Sequence, residues 1–129
     1  MTVYYVDSSV AHRALLGDPP HVAEWFDSIV EAGHSLVGSR ILRLELTRVL
    51  RREGLPVAMR DDILDKVDLL ALEESVLAAA EAIGPHIKSL DAIHVATAVV
   101  SGLNPVVVTH DARMKAVLAD FGLDALDPV

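Results

Sequence analysis

Two short runs of β-branched and aromatic residues, each cut off by a polar, acidic turn, constrain the fold of this chain most. Val3-Tyr4-Tyr5-Val6 stops at Asp7, and Pro105-Val106-Val107-Val108 stops at Thr109-His110-Asp111. Runs that are short, apolar throughout and sharply ended read as buried strands. Helical patterns fill the sequence between them, and strands alternating with helices indicate an α/β sandwich with a mainly parallel sheet.

The remaining elements follow from caps and breakers. Ser8 and Ser9 are placed to cap a helix to about Leu16, ended by Gly17-Asp18-Pro19-Pro20, and a second helix runs from Pro20 to Glu31. Ser35 to Val37 is a short strand, and Ser39 is placed to cap the helix Arg40 to Arg52. A further helix is expected over Val57 to Val67, a strand over Leu69 to Leu72 and a helix from Ser75 to Ile83, broken by Gly84-Pro85. Ser89 opens the helix Leu90 to Val100. The helix Ala112 to Asp120 and a last strand near Leu123 to Leu126 complete an expected sheet of about four or five strands flanked by helices. At 129 residues, positions 1–129 read as one domain, with no repeat or linker. Sheets of this kind place ligands beyond the carboxyl ends of their strands, where Asp7 and Asp111 both fall.

Composition removes several functions. A formal charge of −8 repels nucleic acid over the surface as a whole, which argues against a simple electrostatic binder but not against an acidic site neutralised by a cation. The absence of cysteine excludes a disulfide scaffold, a thiolate zinc site and a cysteine nucleophile. Met1 to Val6 carries no signal-peptide pattern, and the most apolar stretch, Ala92 to Val100, is interrupted by His94 and too short to span a bilayer. The expectation is a soluble cytoplasmic protein.

Two further carboxylates sit oddly. Glu45 has Ile41, Leu42, Arg48 and Val49 as its helical neighbours, which puts it at the edge of a buried stripe. Asp91 stands at the start of an apolar helix, with Ile87, Lys88, His94 and Val95 at the same spacings. A half-buried carboxylate is costly without a partner. Arg48 or Lys88 would serve locally, whereas a shared cation would serve Asp7, Glu45, Asp91 and Asp111 together. Oxygen-only donors suit magnesium or manganese, ions able to polarise a phosphodiester and activate water.

These four acids also carry a resemblance. Val6-Asp7-Ser8-Ser9-Val10, Arg43-Leu44-Glu45-Leu46, Leu90-Asp91-Ala92-Ile93-His94-Val95-Ala96 and Val108-Thr109-His110-Asp111 resemble, in order and placement, the four acidic motifs of PIN domains. The likeness spans essentially the whole chain and is most specific around Asp91. Length and form are similar to the VapC toxins of toxin–antitoxin pairs. The resemblance implies a magnesium- or manganese-dependent endoribonuclease, dimeric, restrained by a small antitoxin bound across the site. Many relatives carry an aromatic residue three positions after the last acid, where this chain has Met114.

Each residue also has an ordinary reading. Asp7 and Asp111 would serve as helix caps, Glu45 as an ion-pair partner of Arg48, and Asp91 as a first-turn acid favoured by the helix dipole. Ser9 and Thr109 are candidates to orient an acid or a water, or to cap. His94 reads as a packing or hydrogen-bonding histidine rather than a ligand or general base, and His110 as a solvated loop residue. Five of the eleven basic residues lie on the helix of Glu45; Arg40, Arg43 and Arg48 are candidates for RNA or antitoxin contact, or form a solvated face. Two rivals fail on motif: a receiver domain needs an acidic pair and a late lysine, and a haloacid-dehalogenase-like phosphatase needs aspartate where Ser9 stands. A catalytically silent PIN fold used for protein binding stays open.

Overall fold

The structure, a computed structural model, describes residues 1–84 and 87–129. Five strands form one sheet: β1 (Val3–Val6), β2 (Ser35–Ser39), β3 (Asp68–Leu70), β4 (Val106–Val108) and β5 (Ala125–Leu126). Their order is β3-β2-β1-β4-β5, and every neighbouring pair is parallel. The strand count meets the upper expectation, and the sheet is parallel throughout rather than mainly so.

Around it lie α1 (Ser8–Leu16), α2 (Pro20–Glu31), α3 (Ile41–Arg52), α4 (Asp61–Leu64), α5 (Glu74–Glu81), α6 (Ser89–Val100) and α7 (Ala112–Asp120). Side-chain alternation divides the core into two. Val6, Leu36 and Val108 point to one face, where Val10, Ala14, Phe26, Leu42, Leu46 and Leu50 cover them. Tyr5, Val37 and Val107 point to the other, under Val95, Ala98, Met114 and Leu118. Thus α1 to α4 cover one side and α6 and α7 the other, with α5 against α6. Met114 is fully buried in the second of these clusters.

Several local expectations need correction. The 57–67 segment is a 3-10 turn (Val57–Arg60) followed by the one-turn α4, not a single helix. Only Ile63 and Val67 of this stretch are buried, too narrow an apolar stripe to hold a long helix. Ser8 and Ser9 do not cap α1: Asp7 holds the N-cap backbone position, and both serines lie within the first turn. Ser89 likewise lies inside α6, whose N-cap is Lys88. Ser39 does act at the start of α3, its Oγ accepting the Ile41 N–H at 3.2 Å. The α1 stop is as expected, because Gly17 closes the helix in the left-handed region (φ 67°). The break assigned to Gly84-Pro85 falls partly on Pro85, outside the described residues.

Candidate active site

Because β1 and β4 are adjacent and parallel, the residues that follow them emerge side by side. The Asp7 N–H donates to the Val108 carbonyl at 3.0 Å, which ties the two strand ends together. Asp7 is 1% exposed. Although it occupies the N-cap position, its side chain makes no capping bond. Instead Oδ2 accepts from Ser9 Oγ at 2.7 Å and from Thr109 Oγ1 at 2.9 Å. Its other oxygen, Oδ1, is buried and accepts no hydrogen bond among the described residues. An acceptor-only oxygen left this way is costly unless a cation faces it. The nearest positive candidate is His94 Nε2, 3.8 Å away, too far for a hydrogen bond.

Glu45 arrives from α3 on one face of the sheet and meets His94 from α6 on the other. His94 Nε2 lies 2.6 Å from Glu45 Oε1, and Ser8 Oγ donates to Oε2 at 2.9 Å. The imidazole is fully buried, and its Nδ1 is 2.8 Å from the Tyr5 hydroxyl. Burial opposes the imidazolium, but the Glu45 hydrogen bond and the charges of Asp7, Glu45 and Asp91 outweigh it and raise the His94 pKa above its ordinary value. Burial also pushes the Tyr5 phenol well up, so it remains a hydroxyl. Glu45 is paired with neither Arg48 nor any other basic residue of its own helix.

Asp91, in the first turn of α6, is half-buried. Desolvation raises its pKa, and the charges of Asp7, Asp111 and Glu45 add to this while His94 opposes it. That pattern places all four carboxylates in one electrostatic neighbourhood. Asp111 begins α7 and does cap it: Oδ1 accepts from the N–H groups of Arg113 (2.8 Å) and Met114 (3.0 Å). Thr109 Oγ1 links the strand ends a second time, accepting the Asp111 N–H at 3.1 Å while donating to Asp7. Asp91 and Asp111 open onto a pocket of about 450 Å³ also lined by Ile87, Lys88, Ala112 and Arg113.

Asp7, Ser9, Thr109 and Asp111 are therefore linked at the ends of β1 and β4, with Glu45 and Asp91 within reach of their charge. Arg40, Arg43 and Arg48 do not join them: Arg40 at the N-cap of α3 and Arg43 and Arg48 on the helix are exposed and make no side-chain hydrogen bond or ion pair among the described residues. His110 is exposed, its Nδ1 2.8 Å from Asp127 Oδ2. The donor set fits a hard divalent ion through its oxygen chemistry and the unpartnered Asp7 Oδ1. Among the described residues, no three His, Asp or Glu side chains are grouped closely enough to hold a metal ion together.

Tyr5, Ser8 and the link of His94 to Glu45 escaped the sequence reading. His94 was accessible in principle, since three residues after Asp91 is the same helix face. Tyr5 and Ser8 carried no such signal.

Comparison with known proteins bears on the fold and the family. The PIN domain family model matches residues 4–118. Ribonuclease VapC47 of Mycobacterium tuberculosis is 32% identical over 130 residues, covering 96% of each chain. Ribonuclease VapC35 of the same organism is 32% identical over 114 residues, covering 83% of this chain and 82% of its own. Among solved structures, VapBC2 of Rickettsia felis bound to a promoter DNA fragment superposes with TM-score 0.74 at 13% identity, covering 98% of both chains. VapBC-1 of nontypeable Haemophilus influenzae gives 0.70 at 19% identity, with the same coverage. With the family model spanning β1 to α7 and the VapC relatives matching it over most or nearly all of its length, this chain belongs to the PIN-domain family.

Proposed function

We propose that this protein is a magnesium- or manganese-dependent endoribonuclease, the toxin of a type II toxin–antitoxin pair, with Asp7, Glu45, Asp91 and Asp111 as its catalytic and metal-holding acids. One observation carries the reading: four carboxylates from distant segments share one electrostatic neighbourhood, and the most buried of them leaves Oδ1 without a hydrogen-bond partner among the described residues. The names of the relatives supply the substrate class, since both are called ribonucleases.

A divalent ion bound there supplies polarisation of the phosphodiester and activation of water. Ser9 and Thr109 fix Asp7 through Oδ2 and leave Oδ1 for the ion. Asp91 and Asp111 line the open side, where a phosphate has access and where Lys88 and Arg113 offset its charge. Neither His94, engaged through both ring nitrogens, nor His110, held by Asp127, is free to deprotonate a ribose 2′-hydroxyl. In this reading water is the nucleophile: its oxygen bonds to phosphorus as it gives up a proton, the P–O3′ bond breaks, the leaving 3′-oxygen takes up a proton, and the products carry 5′-phosphate and 3′-hydroxyl ends.

The nuclease unit spans positions 1–129 and works as a homodimer in the cytoplasm; among the described residues no helix is long and apolar enough to cross a membrane. A cognate antitoxin silences it by inserting a basic side chain, arginine for preference, among the acids. Exposed Arg40, Arg43 and Arg48 serve RNA or that antitoxin.

The test is RNA cleavage with magnesium or manganese, with excess chelator, and with metal restored. Cleavage should stop under chelation, return with metal and leave 5′-phosphates. Full activity in chelator or a 2′,3′-cyclic phosphate would refute the mechanism. No cleavage of any RNA by a folded, metal-loaded protein would leave the fold as a silent protein-binding module.

A further inference from the structure

We propose that His94 is a positioning residue that sets the orientation of Glu45 and its spacing from Asp7, and that it is itself held by Tyr5. The inference rests on the metal-dependent reading of the same site.

Glu45 alone would be a poor fixed ligand. It projects from the edge of α3 with several rotatable bonds, and each of its two oxygens accepts in more than one direction. The structure removes that freedom from two sides. Ser8 Oγ, in the first turn after Asp7, donates to Oε2 at 2.9 Å. His94 Nε2 meets Oε1 at 2.6 Å. An ionised carboxylate only accepts, so Nε2 carries the proton whether the ring is neutral or charged. The Tyr5 hydroxyl, 2.8 Å from Nδ1, fixes the ring's rotation. Tyr5 sits in β1 two residues before Asp7, so the strand that delivers one acid also anchors the group that holds another.

Burial makes this chain stiff. Tyr5 and His94 are both fully buried, edge to face at 5.8 Å between ring centroids. The imidazole crosses the end of the sheet from α6 to reach an acid on α3, and its Nε2 stands 3.8 Å from Asp7 Oδ1. It therefore lies between the two inner carboxylates, giving its hydrogen to one and leaving the other's Oδ1 for the ion. Partners of this kind behind metal-binding groups change affinity by about 10- to 100-fold when lost.

Manganese affinity, measured by calorimetry on the purified protein, tests the assignment when His94→Asn and His94→Gln are compared. The Gln amide nitrogen reaches the place of Nε2, while that of Asn falls near Nδ1, so only Gln restores the donor to Glu45. The expected result is manganese binding about 10- to 100-fold weaker in His94→Asn and largely rescued in His94→Gln. The turnover number for RNA should follow the same order while KM stays unchanged. Tyr5→Phe, which removes one atom and no packing volume, should weaken manganese binding severalfold, and it keeps the test intact if His94→Asn does not fold. Wild-type affinity in His94→Asn and Tyr5→Phe, or equal losses in Asn and Gln variants that melt normally, would overturn the proposal. Wild-type protein that binds no manganese would overturn the metal reading on which it stands.

Discussion

Asp7 and Asp111 each end a strand and begin a helix, yet they use their side chains in opposite ways. Asp111 spends Oδ1 on the first N–H groups of α7. Asp7 starts α1 with its backbone alone and gives Oδ2 to two hydroxyls instead. The difference extends to their neighbours. The inner half of the site is held by two adjacent sets of side-chain hydrogen bonds, Ser9 and Thr109 on Asp7, and Ser8 and His94, itself held by Tyr5, on Glu45. The outer half, Asp91 and Asp111, faces an open pocket with two cations on its rim. Preorganisation is thus concentrated where water is excluded, and access is left where a polymer has to enter.

The largest expected effect separates function from stability in the inner half. Asp7→Asn should reduce cleavage on the order of a thousandfold, several kcal/mol of lost transition-state stabilisation. Without metal it should melt at or above the wild-type temperature, because it relieves like-charge repulsion and removes no cap. A variant that melts well below wild type without metal would make Asp7 a structural residue.

Asp111 should show the opposite coupling. Asp111→Ala should lose about 1 kcal/mol of stability along with activity, since it removes the α7 cap, whereas Asp111→Asn should keep the cap and lose activity alone. Equal denaturation midpoints for the two variants would erase the contrast between the strand ends.

Protonation gives a third, smaller effect. Asp91 is raised chiefly by desolvation and by the charges of Asp7 and Asp111. His94 is raised because its Glu45 hydrogen bond and the surrounding carboxylates outweigh burial. Both groups hold their proton more tightly folded than unfolded. Their contribution is complete below the ordinary values of 3.8 and 6.5 and is lost as pH rises through the raised ones. Metal-free protein should therefore be more stable near pH 6 than near pH 8 in thermal melts. Magnesium should oppose that loss, adding roughly 2–3 kcal/mol at a hundredfold excess over its dissociation constant. A metal-free melting temperature that climbs from pH 6 to 8 would contradict the repulsive site.

The smallest effect lies outside both halves. Partial burial opposes the charge of Asp127, but hydrogen bonds from Lys115 and His110 prevail and hold its pKa at about 2. Being depressed, it stabilises above the ordinary carboxylate range, and that contribution is lost as pH falls through about 2. The pair is partly exposed, so Asp127→Asn should cost less than about 1 kcal/mol at pH 7. A larger shift would mean that the tail carries the outer wall of the site.

The parts of this arrangement that sequence made legible were those governed by local periodicity. Val3–Val6 and Val106–Val108 are apolar on both faces because both faces are covered, and a sharp polar stop marks a strand end. The positions of Asp7 and Asp111 followed from that, and the edge placement of Glu45 from helical spacing. What stayed hidden depended on pairs far apart in the chain. Nothing local says that Tyr5 lies opposite His94, 89 positions away, or that Ser8 turns to Glu45 rather than capping its own helix. The 57–67 segment misled because its charged face looks helical while its two buried residues hold only a turn.

Manganese titration read two ways tests the central claim most directly: binding by calorimetry and RNA cleavage rate, on the same protein at the same pH. If the four acids hold the ion that cuts RNA, rate and occupancy rise together with a common midpoint, and both vanish in Asp7→Asn. A rate that is independent of manganese, or that saturates with a midpoint unrelated to binding, would mean that these carboxylates are not the site of cleavage.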